Sequence, residues 1–197
     1  MSGVFAGLPR GEFRVILADP PWRFETWSHR GQGKGASQHY DTMTTDDICA
    51  LPVADLAARD CALFVWGCWP HLPDALRVIA AWGFDYKSCG FVWVKQNAGA
   101  PVLWGDLDNL FLGLGYGTRG NTEFCLRAAR GAPKVRSRAE PQLILSPRRE
   151  HSRKPDEQYR RIEALYDGPY LELFARQPRP GWAAWGNQTD KFAETGS

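Results

Sequence analysis

Short apolar runs rich in β-branched and aromatic residues recur along the chain, separated by polar, Gly- and Pro-containing stretches. Arg14 to Ala18 (RVILA) is the first, and it stops at Asp19-Pro20-Pro21, because proline lacks the N–H that a ladder needs. Ala62 to Trp66, Phe91 to Lys95 (FVWVK), Thr122 to Ala128 (TEFCLRA), Leu143 to Leu145, Tyr170 to Ala175 (YLELFA) and Ala183 to Trp185 read as further strands. Helical patterns lie between them. Thr44-Thr45-Asp46-Asp47 offers an N-cap to a short helix. From His71 to Trp82, Leu72, Leu76, Ile79 and Ala80 fall at helical spacing, with Gly83 placed to end the helix. Lys154-Pro155-Asp156-Glu157 opens a third helix, with proline at N1 and two acids at the positive end of the dipole. Its buried face is Tyr159, Ile162, Leu165 and Tyr166, and Asp167-Gly168-Pro169 stops it. Strand and helix alternate, which predicts an α/β fold with a mainly parallel sheet. Arg23 to Tyr40 and the Gly-rich stretch Gly99 to Gly120 read as long connecting loops.

At 197 residues and 44% apolar content, the chain has the size of a single domain spanning 1–197. No apolar run approaches the roughly 18 residues of a membrane helix, and no basic-then-apolar leader opens the chain. The expectation is a protein of the cytoplasm or nucleoid without membrane attachment. Cys49, Cys61, Cys68, Cys89 and Cys125 are odd in number and show neither C-x-x-C nor histidines at zinc-ligand spacing. They read as buried thiols, with no metal site.

A net charge of +2 hides an uneven distribution. Arg127, Arg130, Lys134, Arg136, Arg138, Arg148, Arg149, Arg153 and Lys154 face only Glu140 and Glu150, a local +7 that leaves −5 on the rest of the chain. Such clusters are either solvated loops or anion-binding surfaces.

The chemistry gathers at Asp19-Pro20-Pro21-Trp22. In an open α/β sheet, ligands bind beyond the carboxyl ends of strands, where this tetrapeptide falls. Two successive prolines remove backbone donors and leave carbonyls that accept; Asp19 adds a charged acceptor and Trp22 a flat π surface. The set suits a planar ring with an amino group, stacked on the indole while the amine donates to Asp19 and to a carbonyl of the Asp-Pro segment. The alternative is a plain surface turn.

ADPPWRF (18 to 24), HYDTM (39 to 43), LFVWG (63 to 67), FVWVK (91 to 95), HSRKPDEQY (151 to 159), YLELFAR (170 to 176) and PGWAAWGNQ (180 to 188) together resemble, in order, the MTA-70-like family of N6-adenine methyltransferases. The resemblance implies a Rossmann-like methyltransferase fold with a mainly parallel sheet, helices on both faces and a permuted motif order, the catalytic motif preceding the cofactor motif. It implies S-adenosylmethionine as cofactor, and Asp19, Pro20, Pro21 and Trp22 as the catalytic motif. Asp19, Lys154, Glu172, Arg176, Asn187 and Gln188 are the cofactor-binding set it implies: Lys154 at the methionine end, Glu172 on the ribose hydroxyl pair, and Arg176, Asn187 and Gln188 on ribose and adenine. Pro178 and Arg179 depart from the His and Asn of animal relatives, so no contact is carried to them.

In that reading Asp19 localises the N6 lone pair and accepts or relays its proton, and no metal is needed. An adenine in a duplex must leave the stack to present N6, so a flipped or single-stranded base is expected. Substrate contacts are expected from Trp22 and Tyr40 as aromatic partners, from Lys95, and from Arg130, Lys134, Arg136, Arg138, Arg148 and Arg149 on phosphates. DNA is the expected partner, with RNA as the alternative, and a domain this small leaves room for a homodimer or a partner subunit. Two other readings stay open at the level of sequence. One is a non-catalytic nucleic-acid-binding subunit; the other is a small-molecule amine methyltransferase, which leaves the +7 segment without a task.

Overall fold

The computed structural model describes residues 3–23, 42–98, 109–113, 117–149 and 153–187. Seven strands form one sheet: β1 (Phe13–Ala18), β2 (Ala57–Gly67), β3 (Asp85–Gln96), β4 (Thr122–Arg130), β5 (Leu143–Pro147), β6 (Tyr170–Leu173) and β7 (Trp182–Trp185). Their order is β5-β3-β4-β2-β1-β6-β7. β4 pairs antiparallel with both β2 and β3, and every other pairing is parallel. Six strands therefore point one way and β4 alone runs against them. The mainly parallel sheet expected from the alternation of elements is present, with this one reversal.

Among the described residues three α-helices cover the sheet: α1 (Thr45–Cys49), α2 (Leu72–Ala81) and α3 (Glu157–Leu165). Ile48 of α1 and Ala75, Val78 and Ile79 of α2 pack with Ile16, Ala18, Leu63 and Val65 on one face. On the other face Tyr159 and Ile162 of α3 pack with Val15, Leu17, Phe64 and Trp66. Successive residues of β1 and β2 thus alternate between two cores, which is why both strands read as unbroken apolar runs. β2 is buried without interruption from Cys61 to Gly67. Among the described residues no helix is long and apolar enough to cross a membrane.

Local chemistry explains the boundaries. Thr44 caps α1 by accepting from the Asp47 N–H at 3.1 Å, as its sequence suggests. Gly83 follows α2 at φ +77°, a conformation that favours glycine. The buried side of α2 differs from the expected one: Leu76 is 37% exposed and Ala80 is also exposed. The helix is rotated so that Trp82 buries completely and its Nε1 donates to the Ile48 carbonyl at 2.9 Å. One large indole outweighs a leucine and an alanine in buried apolar area. α3 begins at Glu157, and Pro155 lies in the preceding turn rather than at N1. Besides Tyr159 and Ile162 it buries Gln158 and Arg161. Arg161 pairs with Glu157 at 2.7 Å and donates to the carbonyls of Leu143 and Pro141, tying α3 to the start of β5. β6 ends two residues before the apolar run does, because Phe174 adopts φ +61°. Of the five cysteines, expected to be buried, Cys61 and Cys125 are; Cys49, Cys68 and Cys89 are half-buried near the ends or edges of their elements.

Phe64 holds the α3-side core together. It is fully buried, stacked on Phe91 at 5.7 Å and edge-on to Tyr166 at 6.0 Å. Phe64→Ala is expected to cost about 3–5 kcal/mol in urea unfolding; a loss under about 1 kcal/mol would contradict this packing role.

Candidate active site

The six co-directional strands place their carboxyl ends on one edge, and β4, being reversed, contributes its first residues there. β1 delivers Asp19, β3 delivers Lys95, β4 delivers Glu123, and the turn before α3 delivers Lys154. Lys154 Nζ lies 2.7 Å from both oxygens of Asp19 and 3.4 Å from Glu123 Oε2. Lys95 Nζ lies 2.5 Å from Glu123 Oε1. The result is an alternating chain, Asp19–Lys154–Glu123–Lys95, in which each charge meets its opposite. The four side chains are between 9% and 19% exposed. Burial on its own would discharge Lys154, yet the Asp19 and Glu123 carboxylates more than compensate and hold its pKa above the usual lysine range. Burial likewise pushes Glu123 up, and Lys154 and Lys95 overcome it and hold the carboxyl below its ordinary value. Next to this cluster, burial and the Glu123 charge push the Cys68 thiol up to about 11.

The Asp-Pro-Pro-Trp turn is fixed from several sides. The Trp22 N–H donates to the Pro20 carbonyl at 2.8 Å, and the Met43 N–H donates to the Pro21 carbonyl at 2.9 Å. The Trp22 indole, which the sequence suggests as a surface for a base, is only 5% exposed. Its Nε1 donates to the Trp66 carbonyl at 3.0 Å, and the His71 ring stacks on it at 5.6 Å. The turn needs an anchor more than an open face, and Trp22 supplies the anchor. Trp66 in turn donates to Gln158 of α3 at 2.5 Å and presents its ring to Lys154.

A narrow concavity opens on this edge, lined by Asp19, Trp66, Lys154, Glu172, Phe174 and Arg176 among others. Glu172 is reached by the Tyr159 hydroxyl, which lies 3.0 Å from both carboxyl oxygens. Tyr159 is held edge-on by Trp182 at 5.3 Å and covered by the Arg179 guanidinium at 4.0 Å. Burial raises Glu172 to about 7, aided by the Asp19 charge and opposed by Tyr159, Arg179 and Arg176. Glu123 and Arg179 carry no role in the sequence reading, and Tyr159 only that of a buried helix residue. For Glu123 a signal existed: an acid opens TEFCLRA while a lysine closes FVWVK, two opposite charges at the ends of apolar strands.

Four of the six expected cofactor residues, Asp19, Lys154, Glu172 and Arg176, meet in the concavity. Asn187 is exposed beyond β7 and does not line it; Gln188 and Tyr40 lie outside the described residues. The +7 segment does not form one patch. Arg148, Arg149, Arg153 and Lys154 follow β5 on the site edge, with Arg149 paired to Asp156 at 2.6 Å and Arg148 over the Phe111 ring at 3.4 Å. β4 carries Arg130 to the opposite edge, where it donates to the Ala54 carbonyl at 2.7 Å. Arg136 pairs with Asp167 at 3.1 Å at the far end of α3, and Lys134 precedes it. Arg138 lines a separate groove over Phe91 and Tyr166 on the α3 face. Contacts from Arg130, Lys134, Arg136 and Arg138 to a substrate held at Asp19 are therefore not what this arrangement provides, because an antiparallel strand separates them from the site. Lys95 is engaged by Glu123 inside the cluster rather than presented to a phosphate.

The model of the MT-A70 family matches residues 13–188. The chain belongs to the MT-A70 family. Among its relatives, the type II methyltransferase M.MunI of Mycoplasma sp is 31% identical over 94% of this chain and 82% of its own length. A putative N(6)-adenosine-methyltransferase MT-A70-like of Medicago truncatula is 30% identical over 90% of this chain. The N(6)-adenosine-methyltransferase subunit METTL3 of Danio rerio is 30% identical over 91%. The chain spans only 26% and 28% of those two longer proteins. The mainly parallel seven-stranded sheet with helices on both faces is that of a Rossmann-like methyltransferase fold.

Glu172 makes a measurable prediction. A carboxyl that keeps its proton longer in the folded than in the unfolded chain costs stability as pH rises from about 4.5 to about 7, because only the unfolded chain has released the proton. Glu172→Gln removes that cost. The variant is expected to be about 1–3 kcal/mol more stable than the parent at pH 8 and less than about 0.5 kcal/mol more stable at pH 4 in denaturant melts; an equal difference at both pH values would contradict it.

Proposed function

We propose that the chain is an S-adenosylmethionine-dependent methyltransferase that methylates N6 of adenine in nucleic acid, with DNA as substrate. The observation that carries this reading is the Asp19 carboxylate, set at the end of β1 in a two-proline turn and facing the same concavity as Lys154, Glu172 and Arg176. Family membership and relatives named as N(6)-adenosine-methyltransferases support N6 of adenine as the target. The relative named as a type II methyltransferase, 31% identical over 94% of this chain, supports DNA as the substrate.

The residues present suit the cofactor. Glu172, in its ionised form, accepts from a ribose hydroxyl pair, and Lys154 and Arg176 supply cations for a carboxylate. S-adenosylmethionine supplies, when bound, a methyl group made electrophilic by its sulfonium. The protein's own task is alignment of the amine. Asp19 has lone pairs beyond those that Lys154 engages and accepts one N6 hydrogen, while a carbonyl of the Asp-Pro segment accepts the other. With both hydrogens directed, the nitrogen lone pair points along one line, the positioning that accounts for much of such a rate enhancement. As the new N–C bond forms and the methyl–sulfur bond breaks, its electron pair staying on sulfur, Asp19 would take the proton that N6 must lose. Lys154 keeps the carboxylate in place throughout.

The test uses purified chain, methyl-labelled cofactor, and pools of DNA and RNA oligonucleotides. N6-methyladenine is expected in the DNA digest, and Asp19→Ala is expected to lower its formation at least about 100-fold with an unchanged circular dichroism spectrum. A variant that methylates at the parent rate removes Asp19 from the mechanism. Label in RNA alone reassigns the substrate, and absence of cofactor binding by calorimetry favours the non-catalytic subunit.

A further inference from the structure

The burial of Trp22 leaves open which aromatic surface supports a strand whose adenine has been drawn out of its stack. Among the described residues, two aromatic side chains are about half exposed, Trp69 at 49% and Tyr86 at 48%. Tyr86 pairs with Ala128 near the far end of β4, on the edge away from Asp19. Trp69 is on the site edge, one residue past Cys68 and in the turn Trp69–His71 that follows β2.

Its surroundings tie it to the site on two sides. Trp69 Nε1 donates to Thr122 Oγ1 at 2.8 Å, and Thr122 immediately precedes Glu123 of the charged chain. At the other end of the same turn, His71 stacks on Trp22, three residues from Asp19. The indole and the Phe124 ring meet in a T-shaped contact, 5.3 Å between centres with the planes 64° apart. Phe124 is itself fully buried over Gly67, where an added Cβ would lie 2.7 Å from its ring. The indole is therefore fixed by its N–H and by Phe124 while about half of its surface remains in water. A solitary exposed leucine needs no explanation, since much of any protein surface is apolar. An indole immobilised in this way on the edge of the sheet that carries Asp19 differs, because the entropy of ordering a stacking platform is already spent.

We propose that the exposed face of Trp69 stacks a nucleobase of the substrate strand next to the target adenine, holding the strand while the adenine reaches Asp19. The proposal rests on the nucleic-acid reading given above. Stacking on an aromatic side chain tolerates any base and adds no ionic contact, so it contributes affinity without changing the number of counterions released.

That property defines the experiment. Fluorescence anisotropy of a labelled, mixed-sequence single-stranded DNA oligonucleotide is followed with the full chain over a series of salt concentrations. Trp69→Leu, which keeps an apolar contact with Phe124 but removes the flat face, is expected to bind about tenfold more weakly at every salt concentration, with an unchanged salt slope. Trp69→Phe is expected to recover to within about threefold of the parent. Thermal melting and S-adenosylhomocysteine binding, read in parallel, are expected to stay at parent values in both variants. Parent-like oligonucleotide binding by Trp69→Leu overturns the stacking role, as does a loss that phenylalanine fails to recover or that is matched by a fall in melting temperature. If the parent binds S-adenosylhomocysteine but no oligonucleotide, the nucleic-acid reading falls and this proposal falls with it; parent binding with an indifferent Trp69→Leu removes Trp69 alone.

Discussion

Four charges buried on the carboxyl edge of the sheet constrain everything around them. An isolated ammonium or carboxylate at that depth costs several kcal/mol in lost hydration, a cost offset only when each charge is matched at close range. Asp19, Lys154, Glu123 and Lys95 achieve this as an alternating and neutral chain. Its members come from four places in the sequence, so the match exists only when β1, β3, β4 and the turn before α3 are all in register. The reversal of β4 is part of the solution. A strand running with its neighbours would carry its first residues to the opposite edge; reversed, it brings Glu123 between the two lysines.

A second set of contacts makes that arrangement rigid. Trp22 donates to the Trp66 carbonyl, Trp66 donates to Gln158, and the Trp66 ring faces Lys154. The β1 turn, the end of β2 and the first turn of α3 are thus joined by side chains that pack and hydrogen-bond at once. Lys154 is covered from below by an aromatic face and from the sides by carboxylates, which leaves Asp19 little freedom to turn away from the concavity. Indoles are well suited to this work because each fills a large volume and carries a single donor that needs one partner.

Much of this was legible in the sequence where local physics decides it. Apolar runs ended by Asp-Pro-Pro or by Gly marked strands, and the caps at Thr44 and Gly83 marked helix ends, because those signals act over a few residues. Asp19, Lys154, Glu172 and Arg176 were legible through ordered motifs, and they do meet. What escaped was decided by tertiary geometry. The polar start of β3, Asp85 to Gly90, is a strand because β4 pairs with it, not because of its own pattern. The rotation of α2 depends on where Trp82 finds the Ile48 carbonyl. A run of positive charge in sequence gives no hint that one strand will divide it between two edges of a sheet, so Arg130 and Arg136 were assigned to a site from which β4 removes them.

Two carboxylates on adjacent strands end up with opposite surroundings, and the difference follows from where the cations are. Leu17 of β1 lies beside Glu172 of β6, so Asp19 is two residues further along the same edge. Lys154 reaches Asp19 with both of its short contacts and has Glu123 as its second partner; Glu172 is left with the neutral Tyr159 hydroxyl and more distant guanidinium groups. Burial then prevails at Glu172 and raises it to about 7, while the nearby Asp19 charge adds to the effect. A carboxyl in that condition gains most from a partner that donates two hydrogen bonds to its ionised form, and a vicinal diol is such a partner. Asp19, already matched by an ammonium, has no such deficit and keeps lone pairs free for an amine. The same edge therefore provides one acceptor suited to a polyol and another suited to a planar amino group, separated by the single lysine that serves only one of them.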